Sequence, residues 1–308
     1  MRRLVGLVVS LFILWLIWRH IDTHAILAAT RASDPWWLTA GLSMVVPLTL
    51  ATAWRFQILS RHALGLGGAT RLILSSSTLN LFLPSKMGDI AKAYVLTGRH
   101  GQDPRRALSV VVLEKMLDMA ALLVWGLGAL LWVGSSDPWL LLGAAAVAGL
   151  LGLLVLLIAP LPLAPRLMAL IGGVLPGKIG IAARDFSTEW AGVTAWFWSV
   201  PRRGAGIVLL SLAIWAGHLA QFWLFAHALR SSVPFVDNMA FATLSILVGL
   251  APFTMAGIGT RDAAIIFFYR AWLAPGQGAV LGVLATMRYL SPAVAGLPFL
   301  RDYVPKRP

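Results

Sequence analysis

Charged residues interrupt a chain that is otherwise strongly apolar, and their spacing is what suggests chemistry. In VVLEKMLDMA, residues 111–120, Glu114 and Asp118 stand four apart and share one helix face, and Lys115 reaches Asp118 at a spacing of three. Two adjacent carboxylates repel. Either one of them takes up and exchanges a proton, or Lys115 and bases from elsewhere neutralise both in a buried network. NLFLPSKMGDIAKAY, residues 80–94, sets Lys86, Asp89 and Lys92 beside Pro84 and Gly88. APFTMAGIGTRDAAIIFFY, residues 251–269, sets Arg261 and Asp262 just after Pro252, Gly257 and Gly259. Read together, the bases in apolar segments are Lys86, Lys92, Lys115, Arg261 and Arg288, and the acids are Asp89, Glu114, Asp118 and Asp262. A charge at the bilayer centre costs at least ~2.5–3.5 kcal/mol on insertion scales, so such a set requires pairing, a water-filled cavity or a function.

Proline and glycine in the same stretches predict broken helices. Pro84 is expected to end an incoming half-helix, and Gly88 to let the backbone bend where the next begins, near Asp89. Pro252, Gly257 and Gly259 do the same ahead of Arg261 and Asp262. A half-helix N-terminus presents free backbone N–H groups and a positive dipole end, which suits an anion. The plainer alternative makes Asp89 and Asp262 capping residues that bind nothing. Arg261 and Asp262 are sequence neighbours, which do not face each other on a helix. Each is therefore expected to find its partner elsewhere, in a polar centre shared with Glu114 and Asp118.

The elements that carry these residues are membrane helices. The chain has 308 residues, 59% hydrophobic and 12% charged, with a mean hydropathy of +0.81. Soluble domains carry about a quarter charged residues. The sequence therefore reads as an all-α polytopic membrane protein, a single integral domain over 1–308. It has no cysteine, which excludes thiolate nucleophiles and Cys-based metal sites. The net charge of +13 fits basic cytoplasmic loops and not nucleic-acid binding. Full spans are expected at about 3–18, 36–58, 107–133, 138–160, 205–229 and 278–300, with Pro/Gly-broken re-entrant hairpins at 72–97 and 238–273. Lys and Arg then gather on one face: Arg2, Arg3, Arg61, Arg71, Arg99, Arg105, Arg106, the 161–204 connector and Arg301. That places both termini in the cytoplasm.

This order contains a repeat. Residues 36–133 form helix, hairpin, helix, and residues 205–300 form the same series in the opposite sense. Inverted repeats with broken segments in matching positions point to a transport site near the midplane. The 161–204 connector, with Trp190, Trp196, Phe197 and Trp198, is expected to lie as helices in the headgroup layer; the alternative is one more tilted span. His218 and His227 lack metal-ligand company and read as packing residues. No nucleophile elbow, Walker loop or zinc-binding HExxH is present, so the reading is of a protein without cofactor, metal or enzymatic activity.

The motifs resemble those of the lysylphosphatidylglycerol synthase transmembrane region family, the flippase-like membrane proteins. LPSKMGDIAKAYVL is similar to the family's LPxRxGExxRxyll, VVLEKMLDMAALL to vxxERxxDxxal, and APFTMAGIGTRDAA to PxxxGGxGxrEaa, in the family's order. The resemblance implies a multi-helix bundle in a bacterial or archaeal plasma membrane that moves lipids between leaflets. It implies substrate-binding roles for Lys86, Asp89, Lys92, Glu114, Lys115, Asp118, Arg261 and Asp262, with Pro84, Gly88, Pro252, Gly257 and Gly259 breaking the hairpins. Asp89 and Asp262 replace a usual Glu, Lys86 and Lys115 replace Arg, and Ala256 stands where Gly is usual. Lysine loses Arg's bidentate reach to phosphate. With no aminoacyltransferase domain following, the chain is not expected to synthesise an aminoacylated lipid. The expected substrate is an anionic or polyprenyl-phosphate-linked lipid, moved passively or by an ion gradient. The rivals are a non-transporting scaffold for envelope lipid or glycan synthesis enzymes, and a carrier of small water-soluble anions.

Overall fold

Among the described residues, proline stands first in each of the five helical segments long and apolar enough to cross a membrane: Pro35–Leu59, Pro104–Gly134, Pro138–Ile158, Pro201–Ala228 and Pro275–Arg301. At that position its missing N–H is one the helix leaves unpaired anyway, and its fixed φ suits the first turn. The computed structural model describes residues 23–83, 87–134, 138–161, 163–250 and 259–303. The predicted span at 3–18 lies outside them. The other five predicted spans coincide with the five observed to within a few residues at most ends.

In chain order the helices are α1 (Thr23–Arg31), α2 (Pro35–Ser43), α3 (Val45–Leu59), α4 (Leu66–Phe82), α5 (Met87–His100), α6 (Pro104–Gly134), α7 (Pro138–Ile158), α8 (Leu163–Val174), α9 (Gly177–Trp198), α10 (Pro201–Ala228), α11 (Phe235–Gly249), α12 (Thr260–Phe268) and α13 (Pro275–Gly296). A 3-10 helix, Leu297–Tyr303, follows. Among the described residues there is no β-strand. α2 and α3 run on as one span.

The first interruption falls where the sequence places it. α4 stops at Phe82, and Leu83 is extended at φ −98°, ψ 139°, as steric conflict requires of a residue before proline. α4 and α5 pack together, as do α11 and α12. Each of these pairs leaves and returns at one end of the bundle. At one end, Gln102 after α5 donates to the Ser60 carbonyl before α4, at 3.2 Å. At the other, Gln277 donates to the Leu229 carbonyl at 2.8 Å, and the Ser231 hydroxyl to that of Trp272 at 3.4 Å. The first end also gathers Arg105–Asp185 (2.8 Å) and Arg71 over Phe299. The second gathers Asp34–Arg230 (3.5 Å) and the Trp132 indole on Asp237 (2.8 Å). Loops assigned to the basic side by charge thus meet one another, and those assigned to the opposite side do likewise.

The connector resolves into α8 and α9, neither of which meets the length and apolarity of a span. Two of the four aromatic residues expected in the headgroup layer turn into the protein, while Trp196 and Trp198 are half-buried. Trp190 and Phe197 are fully buried in a core shared with α3, α4, α6 and α10. The Trp190 and Trp198 indoles donate to the Leu157 and Ile158 carbonyls at 3.2 and 2.9 Å. Those carbonyls belong to the end of α7, where the helix leaves its last acceptors unpaired. Trp196 lies between two cations, Arg61 at 4.8 Å and Arg203 at 4.1 Å from the ring centroid. Partial burial, with Arg106 and Arg203 nearby, pushes the Arg61 guanidinium below its ordinary range.

Packing between the two halves is reciprocal. α4, the first arm of the first hairpin, packs on α13, the last helix of the second half; α11 packs on α6, the last helix of the first. The α4–α13 contact is very close. The Thr78 hydroxyl donates to the Ala293 carbonyl at 2.6 Å, and a side chain on Gly296 would run into the Leu74 backbone.

Candidate functional site

α6 carries Glu114 and Lys115 side by side and Asp118 about one turn on, and the i,i+3 pair forms as expected, with Lys115 Nζ 3.2 Å from Asp118 Oδ2. α5 begins at Met87, so Asp89 falls in its first turn and Lys92 one turn on, with Lys92 Nζ 3.3 Å from Asp89 Oδ1. The two helices pack side by side. Lys92 meets Glu114 Oε2 at 2.5 Å, and Lys115 meets Asp89 Oδ2 at 3.2 Å.

The remaining member comes from a residue the sequence reading passes over. Arg55, fully buried on α3, donates Nη2 to Asp118 Oδ1 at 2.6 Å and Nη1 to the Ser211 hydroxyl of α10 at 2.9 Å. Its Nη2 also lies 3.8 Å from Glu114 Oε1. Taken in order, Arg55, Asp118, Lys115, Asp89, Lys92 and Glu114 form a closed ring of alternating sign, each acid between two bases. Its charges cancel. The ring is sealed on one side and open on the other: Arg55, Lys92 and Glu114 are 0–1% exposed, Asp118 22% and Lys115 40%.

The second hairpin makes a separate site. Arg261 and Asp262 pair with each other, Nη2 to Oδ1 at 2.7 Å, and Arg261 also donates to the Thr286 hydroxyl (2.7 Å) and Gly282 carbonyl (3.2 Å) of α13. The expectation that each would find its partner near α6 is therefore corrected. Among the described residues no ion pair joins either to Glu114 or Asp118. The rule that sequence neighbours face apart holds in helix interiors and fails here in a first turn. Asp262 curls back so that Oδ2 accepts the Gly259 N–H at 3.1 Å, which brings Oδ1 beside the Arg261 guanidinium. The same bond caps α12, so that helix end is already occupied by its own carboxylate. Gly259 turns the chain at φ 93°, a value side chains other than glycine's rarely adopt.

Gly88 has a different role from the expected bend. It lies within α5, and a Cβ there would stand 2.5 Å from the Ser76 carbonyl oxygen of α4. Its missing side chain lets the two hairpin arms touch. Pro84, Lys86, Pro252 and Gly257 lie outside the described residues.

One buried base stands apart. Arg288, 4% exposed, sits midway along Pro275–Arg301 and has no carboxylate partner among the described residues. Nη1 reaches the His218 carbonyl at 3.3 Å, Nη2 the Tyr289 hydroxyl at 2.6 Å, and Nε has no partner. The guanidinium lies over the Phe222 and Tyr289 rings at 4.9 and 4.7 Å. These contacts soften the burial of a cation without cancelling its charge. The sequence reading notes Arg288 among the bases and gives it no role. A lone arginine in an apolar helix carries no spacing signal to do so. His218 packs at the edge of Trp215, and His227 between Trp37 and Trp223, as packing residues do.

Among families of known proteins, the one described as Lysylphosphatidylglycerol synthase TM region matches residues 3–296, nearly the whole chain. No curated protein matches the chain at a significant level.

Proposed function

This chain belongs to the Lysylphosphatidylglycerol synthase TM region family, and on that premise we propose that it is a lipid translocase. It passes an anionic or polyprenyl-phosphate-linked headgroup along a polar path at mid-membrane while the tails remain in lipid. The observation that carries this reading is the one-sided charge ring. Six alternating charges are held around the middle of the apolar span Pro104–Gly134, and only Lys115 and Asp118 face outward to meaningful degree. A network made solely for packing has no need of an open side, because exposed ion pairs contribute little to stability. In this reading Arg55, Lys92 and Glu114 hold Lys115, Asp118 and Asp89 in place for a passing headgroup.

The reciprocal packing of α4 on α13 and of α11 on α6 supports two inverted repeats, 36–133 and 205–300, as the moving parts. The gathering of Arg61, Arg105, Arg106 and Arg203 at one end supports a cytoplasmic placement of that end, and of both termini, in the plasma membrane.

The test is reconstitution into sealed liposomes with a headgroup-labelled phosphatidylglycerol whose outer-leaflet label is quenched chemically. Translocation raises the quenchable fraction over time, and Lys115→Ala and Arg261→Ala slow it. A parent protein no faster than empty liposomes would move the scaffold reading ahead. Uptake of a water-soluble anion without lipid movement would favour the small-anion carrier.

A further inference from the structure

We propose that Arg288 anchors the phosphate monoanion of the lipid and that the Tyr289 phenol covers it when no lipid is bound; this rests on the translocation reading above. Four of the buried or half-buried bases described in the spans and hairpins, Arg55, Lys92, Lys115 and Arg261, have a carboxylate within 3.3 Å. Arg288 has none among the described residues, so a positive charge stands there without a carboxylate beside it, midway along Pro275–Arg301. That is where a translocated headgroup would need its anion balanced.

The hydrogen-bond geometry shows how. Nε and Nη2 form one edge of the guanidinium fork, the edge that grips two oxygens of a phosphate. Here Nε has no partner and Nη2 is held by Tyr289 Oη at 2.6 Å. The phenol oxygen occupies one of the two positions a phosphate would take. Tyr289 is 39% exposed, so its phenol stands at the edge of the packing and not within the core. α13 is built to yield at this point as well. Pro292, inside the helix, has no N–H to give the Arg288 carbonyl four residues earlier. A monoanion completes the charge balance at the site, whereas a neutral headgroup leaves it unbalanced and gives the fork no paired acceptor oxygens.

The experiment is native mass spectrometry of the full chain with phosphatidylglycerol, with a neutral galactosyl-diacylglycerol of the same tails, and with inorganic phosphate as competitor. It is run on the parent, Arg288→Met and Tyr289→Phe, with thermal unfolding of each in lipid-free detergent. The parent is expected to retain phosphatidylglycerol over the galactolipid. Arg288→Met should weaken that preference about ten- to hundredfold, the worth of a charge-assisted hydrogen bond. Tyr289→Phe should hold phosphatidylglycerol more tightly, because no phenol competes. Arg288→Met should unfold no lower than the parent, since it removes an unpaired buried charge. An arginine that merely pins α13 to α10 gives the opposite pair of results: a lower unfolding temperature and unchanged retention. Equal retention of the two lipids by the parent also overturns the proposal. Displacement of phosphatidylglycerol by inorganic phosphate alone assigns the site to a free anion and overturns its lipid part. If the parent moves lipid and Arg288→Met moves it equally well, only the anchor falls. If the parent moves none but still holds phosphatidylglycerol through Arg288, the translocation reading falls and the site stands.

Discussion

Lys92 on α5 and Glu114 on α6 meet at 2.5 Å with both side chains sealed from the outside, so each is the other's main compensation for burial. Lys92 also lies 5.0 Å from the Phe56 ring centroid, against the core of α3. A pair in this setting is destabilising to break and much less so to remove whole.

Lys92→Met should therefore lower unfolding stability by about 3–5 kcal/mol, the cost of breaking a buried pair and leaving Glu114 only the more distant Arg55. The double variant Lys92→Met/Glu114→Leu should recover most of that loss. Chemical unfolding of the four members of this cycle in mild detergent measures the coupling. Strict additivity would mean that the contact carries no energy of its own.

Lys115 predicts the reverse pattern. Its ammonium bridges Asp89 and Asp118, and its side chain is 40% exposed. Lys115→Ala should change stability by no more than about 1 kcal/mol, as for other solvated pairs. The same variant should slow lipid movement in liposomes by about tenfold or more, the size of one lost charge-assisted hydrogen bond. Unaltered transport would remove Lys115 from the path.

The hairpin arms make a steric prediction. Gly88→Ala places a methyl 2.5 Å from the Ser76 oxygen and 2.7 Å from the Asn80 nitrogen, both backbone atoms of α4 that cannot step aside alone. The variant should lose about 1–3 kcal/mol, as overpacked sites do. Gly98→Ala, on the same helix with nothing within 4 Å, should be neutral or gain about 0.4–1 kcal/mol by stiffening the unfolded chain. Parallel unfolding curves compare them directly.

Trp196 is the hinge pin between the connector and the rest of the bundle, through Arg61 and Arg203. Trp196→Ala should raise amide hydrogen exchange over the second half of α9 and leave the α5–α6 ring protected. Equal protection in parent and variant would show that the cation–indole stack holds nothing in place.

Sequence spacing reaches part of this arrangement and stops for physical reasons. Glu114, Lys115 and Asp118 are legible because helical period alone puts them on one face. The first hairpin break is legible because proline dictates the conformation of Leu83 before it. Arg55 is not, because a single base near the basic end of a span looks like an interfacial anchor beside Arg61; only the packing of α3 on α6 turns it inward. The Arg261–Asp262 pair is missed because the neighbour rule ignores how a first-turn carboxylate folds back to cap its own helix. Trp190 and Phe197 mislead for a related reason. Aromatic residues beside arginines mark a headgroup layer in composition, yet here the end of α7 offers the Trp190 indole an acceptor and the bundle core takes in the Phe197 ring.

The charge ring also has a history in time. Arg55 leaves the ribosome 63 residues before Asp118, its partner. At typical synthesis rates that is a wait of about 3–13 s. During that interval α3 carries an unanswered guanidinium, and α5 then adds Asp89 and Lys92 before Glu114 exists. A charge left alone at depth costs about 2.5–3.5 kcal/mol on insertion scales, so α3 to α6 gain by entering the bilayer together, once α6 has arrived to answer α3 and α5.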